Sequence, residues 1–187
     1  MKIGILAVQG AFIEHEKMLS DLGCQCVLLR QRSDIGSFDG IVLPGGESTV
    51  QGKLLKELDM MAPLKEMIDA NTPVLATCAG LILLAQHISN DPKVYFGSMP
   101  VSVKRNAYGR QLGSFQTKAP FGDLGEVDMT FIRAPYIERA GDGVSVLATV
   151  KGKIVAAQYR NQIGLAFHPE LGADTAIHQY FLRLVKG

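Results

Sequence analysis

Cys78 ends a short apolar run, Val74-Leu75-Ala76-Thr77, and is followed by Ala79-Gly80-Leu81. A thiol between an apolar strand and a helix start, with small residues around it, fits a nucleophile elbow. Such a tight strand-to-helix turn holds a reactive side chain out at the top of a sheet. The free N–H groups and dipole of the helix start favour the thiolate, and the Ala79 N–H can face the same space to stabilise an oxyanion. The alternative is a small buried cysteine at a strand end. The local sequence leaves both readings open.

His168-Pro169-Glu170 shifts the balance toward chemistry. It follows a strand-like run at residues 162–167, and a strand's C-terminal edge is where ligand crevices form in open α/β sheets. The imidazole can take the thiol proton, and the carboxylate can fix the imidazole tautomer and stabilise the imidazolium. Of the other histidines, His15 lies in a polar stretch of the first helix, His87 follows a predicted helix end and His178 falls in the last helix. All three read as surface or packing residues.

A third stretch, Leu43-Pro44-Gly45-Gly46-Glu47-Ser48-Thr49, also follows a strand. Its paired glycines allow close approach of backbone to a ligand, and Ser48 or Thr49 can cap the next helix. Gly52-Lys53 suggests a phosphate loop, but the spacing fails. Glu47 stands where the first glycine is needed, and Leu54 follows the lysine. Cys24 and Cys26 alternate on a strand and read as core, without the further ligands a metal site needs. Arg105-Asn106-Ala107-Tyr108-Gly109-Arg110-Gln111 reads as a solvated loop between strands.

The elements that must position these residues are predicted from hydrophobic period. Strands fall at residues 2–8, 24–29, 40–43 and 73–77, and helices at 12–22, 48–57, 63–70 and 79–86. That alternation predicts a doubly wound, mostly parallel α/β sheet flanked by helices, of flavodoxin-like type. Short strand-like segments follow at 101–104, 113–118, 129–133, 144–150, 154–159 and 162–167, adding antiparallel strands in the second half. Asp174 is placed to cap a closing helix that carries Ala176, Ile177, Tyr180, Phe181, Leu184 and Val185 on one side.

The 187 residues, 47% hydrophobic and 20% charged, read as one domain over residues 1–187. A net charge of +1 argues against a nucleic-acid partner. No apolar run approaches the roughly 20 residues of a membrane span. Three cysteines are too few for a disulfide scaffold, so the expected setting is the reducing cytoplasm.

Together these stretches resemble class I glutamine amidotransferase domains, which carry a cysteine and then His-x-Glu. They are closer still to the glutaminase subunit of pyridoxal 5′-phosphate synthase. Gln9-Gly10, the Gly-Gly-Glu-Ser stretch, Thr77-Cys78-Ala79-Gly80-Leu81, the Arg105-Asn106 stretch, Phe131-Ile132-Arg133-Ala134-Pro135 and Phe167-His168-Pro169-Glu170-Leu171 carry the similarity. Ala76 stands where that family usually has glycine. The resemblance implies hydrolysis of L-glutamine to glutamate and ammonia through a glutamyl thioester, with Cys78, His168 and Glu170 as the triad and no metal or organic cofactor. It implies glutamine contacts at Gly46, Glu47, Ser48, Arg105, Ile132 and Arg133. It further implies an oxyanion hole of Gly45, Gly46 and Ala79, completed by a swing of the Gly45–Gly46 peptide. The implied partner is a (β/α)8-barrel synthase subunit that consumes the ammonia and activates the glutaminase on docking in a multi-subunit complex. Two rivals stand: a glutaminase serving another synthase, such as imidazole glycerol phosphate synthase, and a non-catalytic or peptidase-like cysteine domain.

Overall fold

The computed structural model describes residues 1–106 and 114–187. The first half alternates as expected: β1 (Lys2–Leu6), α1 (Phe12–Asp21), β2 (Gln25–Leu29), β3 (Gly40–Leu43), α2 (Ser48–Glu57), α3 (Met61–Asp69), β4 (Val74–Thr77) and α4 (Ala79–Leu84). The second half carries β5 (Ala85–Ile88), β6 (Met99–Lys104), β7 (Ser114–Pro120), β8 (Glu126–Ile132), β9 (Tyr136–Ala140), β10 (Ser145–Val150), β11 (Lys153–Tyr159), β12 (Gln162–Leu165) and α5 (Ala176–Lys186).

The large sheet runs β2-β1-β3-β4-β12-β11-β9-β6-β5, with β10 on β11, while β7 and β8 form a separate antiparallel pair. From β2 to β12 every neighbour is parallel. β3, β4 and β12 are buried along their whole length. Strands covered on both faces read as unbroken apolar runs, which is why the period found them. β12 joins the parallel half beside β4, so the C-terminal ends of β1, β3, β4 and β12 open on one edge. The ligand crevice of an open α/β sheet forms at that edge.

Several expectations need correction. The helix predicted over residues 79–86 stops at Leu84, because Ala85–Ile88 pairs in parallel with β6; His87 is therefore a strand residue. β9, which the sequence pattern passes over, is held by ladders to β6 and β11. Glu47, not Ser48 or Thr49, caps α2, its carboxylate accepting from the Thr49 N–H at 3.3 Å. Thr175 occupies the cap position of α5, while Asp174 accepts from the Ala176 N–H at 2.9 Å. Among the described residues no helix is long and apolar enough to cross a membrane.

Candidate active site

Register places the thiol beside the base. Thr77 pairs with Leu165, and the Cys78 N–H donates to the Leu165 carbonyl at 2.8 Å. The chain then turns sharply, with Cys78 at φ 48°, ψ −99°. A non-glycine residue held there stores about 1–3 kcal/mol and persists only where its surroundings fix it. The β4 ladder fixes it on one side and α4 on the other. Gly80 lets the helix press against β3, since a Cβ there would collide with the Leu43 carbonyl. The turn forms with Ala76 in place, fully buried and opposite Gly164.

Past β12 the chain leaves the sheet. His168 N–H donates to the Thr130 carbonyl of β8 at 2.8 Å, and the 3₁₀ turn Pro169–Leu171 brings Glu170 back beneath the imidazole. His168 Nδ1 lies 2.7 Å from Glu170 Oε1, and both residues are buried. Burial opposes the imidazolium. The hydrogen bonds and charges of Cys78 and Glu170 outweigh it and raise His168 to about 10. Burial likewise opposes the Glu170 carboxylate, but His15 and His168 outweigh it and hold that group below the usual range. At neutral pH an imidazolium at His168 lies between the Cys78 sulfur and the Glu170 carboxylate.

The glycine loop closes the other side. Gly45 sits so tightly against the His168 ring that a Cβ would enter it. The Gly45 carbonyl accepts from the Ala11 N–H at 3.0 Å. Across a trans peptide the Gly46 N–H then points the opposite way. Gln9 Oε1 accepts from the Glu47 N–H at 2.8 Å, and Gln51 Nε2 donates to the carbonyls of Gln9 and Pro44 at 3.0 and 3.1 Å. Gly10, at φ +108°, backs onto the Gly45 carbonyl so closely that a side chain would overlap it. Gly10→Ala is therefore expected to displace the Gly45–Gly46 peptide. Turnover at this site should fall at least about tenfold, with the helical circular-dichroism signal retained. Unchanged turnover would sever Gly10 from the site.

Glu47 meets Arg105 across the mouth: Arg105 Nη2 donates to Glu47 Oε1 at 2.9 Å and Nη1 to Asp91 Oδ2 at 2.8 Å. The loop predicted as solvated thus begins with a tethered arginine; its continuation at Ala107 to Gln111 lies outside the described residues. Ser48 is buried and its hydroxyl lacks a protein partner among the described residues. Ile132 ends β8 and Arg133 follows it at φ 43°. They join the site through the strand whose Thr130 carbonyl holds His168.

Five residues of this neighbourhood were not assigned roles from the sequence: Gln9, Gln51, Thr77, His15 and His178. His15 and His178, expected at the surface or in general packing, are fully buried behind Glu170. The signal was helical period. His15 stands three residues after Phe12 and four before Leu19, on the inward face of α1.

Fold and site together define a doubly wound α/β protein with a strained thiol, an imidazole and a carboxylate at one sheet edge. The model of the SNO glutamine amidotransferase family matches residues 5–186, and the chain belongs to that family. It is 65% identical over 183 residues to pyridoxal 5′-phosphate synthase subunit PdxT of Desulfitobacterium hafniense strain Y51, covering 97% of this chain and 92% of the relative. The subunit of the same name in Methanocorpusculum labreanum is 54% identical over 189 residues, covering 100% and 99%. A glutamine amidotransferase crystal structure superposes with a TM-score of 0.94 at 36% identity over 99% of both chains. A Thermotoga maritima glutamine amidotransferase shares the fold at a TM-score of 0.65 and 16% identity, over 98% of this chain and 81% of that one.

Proposed function

We propose that this chain is the glutaminase subunit of pyridoxal 5′-phosphate synthase, hydrolysing L-glutamine and passing ammonia to a synthase subunit. The observation that carries the chemistry is the buried row Cys78–His168–Glu170, with Cys78 at positive φ and His168 Nδ1 2.7 Å from Glu170 Oε1. High identity to PdxT subunits over the whole chain supports the synthase assignment.

The Cys78 thiolate attacks the side-chain amide carbon of glutamine. A C–S bond forms and the carbonyl oxygen becomes an oxyanion, held by the N–H groups of Ala79 and Gly46. His168 donates its Nε2 proton to the amide nitrogen, the C–N bond breaks and ammonia leaves. A glutamyl thioester remains. His168, now neutral, takes a proton from water as that water attacks the thioester. The C–S bond breaks, glutamate departs and the thiolate is restored beside the imidazolium. Glu170 fixes the imidazole throughout. Gly46, Glu47, Ser48, Arg105, Ile132 and Arg133 bind the amino-acid end of glutamine. Arg105, already on Glu47, suits an α-carboxylate because its fork carries further donors. No step requires a metal or organic cofactor.

Ammonia released into water is lost by protonation and diffusion, so the reaction serves a (β/α)8-barrel synthase docked against the mouth, in the cytoplasm. The test measures ammonia from glutamine with and without a pyridoxal synthase subunit. Release should rise at least about tenfold with that partner, as expected where docking favours the active arrangement. Stimulation by an imidazole glycerol phosphate synthase subunit instead would overturn the assignment.

A further inference from the structure

Behind the triad lies a second buried row that the mechanism above does not use. Glu170 Oε1 is occupied by His168, but Oε2, equally buried, has no hydrogen-bond partner among the described residues. His15 Nε2 stands 3.4 Å from it and 3.3 Å from the Thr77 hydroxyl, on the residue before the nucleophile. His15 Nδ1 lies 2.9 Å from His178 Nε2, and the two rings tilt at 52° with centroids 5.1 Å apart. Both histidines are wholly buried, one on α1 and one on α5. A buried carboxylate oxygen facing no donor is costly, so the protonation pattern here is constrained.

The pattern follows from the far end. His178 Nδ1 is buried and has no partner among the described residues. An orphaned N–H is rarer in folded proteins than an under-used acceptor, so Nδ1 is the bare nitrogen and Nε2 carries the hydrogen. His178 Nε2–H then donates to His15 Nδ1, which leaves the hydrogen of His15 on Nε2, toward Glu170 and Thr77. The opposite tautomer would turn a lone pair of His15 toward a carboxylate and bury an unpaired N–H on His178. Burial, aided by the neighbouring His168 charge, keeps His15 neutral against the pull of Glu170 and Glu14. Burial likewise lowers His178, to about 3, with His15 adding to the effect and Glu170 opposing it. The ring hydrogens then point one way: His178 to His15, His15 to the Thr77 hydroxyl and toward Glu170 Oε2 3.4 Å away, and His168 to the other oxygen of Glu170.

We infer that His15 is a positioning residue of the reaction, holding the Glu170 carboxylate turned toward His168, and that His178 fixes the His15 tautomer that does so. This rests on the glutaminase reading above and adds two residues on two helices to it. The groups facing this pair are Glu170 on the 3₁₀ turn, His168 just before it, Thr77 on β4 and Glu14 on α1.

The test uses the full chain with the synthase subunit and compares His15→Gln with His15→Asn. The glutamine amide can place an N–H where imidazole Nε2 stood, toward Glu170. The shorter asparagine amide reaches only the Nδ1 position, toward His178. Both side chains are polar and neutral, so both keep the burial tolerable. His15→Gln should retain most of kcat. His15→Asn should lose roughly 10- to 100-fold in kcat with KM for glutamine within about twofold. The basic limb of its kcat/KM profile should also move to lower pH, because a poorly held carboxylate supports the imidazolium less. His178→Leu should move the limb in the same direction. Wild-type kcat and limb in His15→Asn would overturn the inference. So would equal loss in both variants with the limb unmoved, which marks packing alone. Cys78→Ala in the same assay separates the layers: turnover surviving there sinks the triad reading itself, whereas a dead Cys78→Ala beside a wild-type His15→Asn sinks only the positioning role.

Discussion

Cys78→Ala is expected to abolish ammonia release from glutamine, by a factor on the order of 10⁴ or more. The amide is a poor electrophile, and covalent attack divides its hydrolysis into two easier steps. Without the sulfur, only the oxyanion donors and substrate positioning remain. The other thiols cannot substitute. Cys24 is buried beside β2 and Cys26 half-buried within it, far from the edge where β4 ends. Burial pushes both of their thiols up, away from the reactive form. An electrophilic glutamine analogue should accordingly add mass to the Cys78 peptide alone. Labelling of Cys24 or Cys26, or turnover that survives in Cys78→Ala, would remove Cys78 from the mechanism. The variant should fold, since alanine meets the same positive-φ demand as cysteine.

How much of this was legible before the fold depended on what each residue's signal was local to. The parallel half of the sheet was readable because buried strands such as Val74–Thr77 show as apolar runs bounded by turn residues. Cys78 and His168-Pro169-Glu170 were readable because each sits immediately after such a run. β9 was not, since Tyr-Ile-Glu-Arg-Ala has little strand character of its own. Its ladders to β6 and β11 decide its state. α4 ended early for the same reason, a tertiary ladder overriding helical propensity. Arg105 looked like part of a solvated loop because its partner Glu47 is 58 positions away. His15 was left open between surface and packing because Glu14 and Glu16 flank it, although its offset from Phe12 and Leu19 placed it inward. A histidine on the apolar stripe of a helix needs a partner in the core, and here the partners come from β4, α5 and the 3₁₀ turn.

The same packing connects parts of the site that are remote in sequence. α1 begins two residues after Gly10, whose backbone abuts the Gly45 carbonyl, and one turn later it carries His15 to Glu170. The Gly45–Gly46 loop and Glu170, the partner of His168, therefore share one helix as a support. A sub-ångström shift of α1 would be felt at both, because close-packed interiors transmit displacement rather than absorb it.

His168→Asn is expected to lower kcat for glutamine hydrolysis by about 10³- to 10⁴-fold, since in the proposed mechanism it removes both the acid that protonates the departing amide nitrogen and the base that activates water. The wild-type pH profile identifies the group. Burial disfavours the imidazolium, but the hydrogen bonds and charges of Cys78 and Glu170 raise it to about 10. The active form, with His168 protonated, is thus present through neutral pH and is lost as pH rises through about 10. The sign follows from the direction of the shift. A partner that stabilises the charged form extends activity upward in pH, and removing that partner brings the basic limb down. Glu170→Gln should do so, because a neutral amide cannot match a carboxylate 2.7 Å from Nδ1, and its kcat should fall on the order of 10²-fold. His168→Asn has no such group left, so its residual rate should show no basic limb at all. Stopped ammonia assays from pH 6 to pH 11, with the synthase subunit present, would measure all three profiles. A basic limb that stays fixed in Glu170→Gln would assign it to another group, and a wild-type rate in His168→Asn would require a different proton donor.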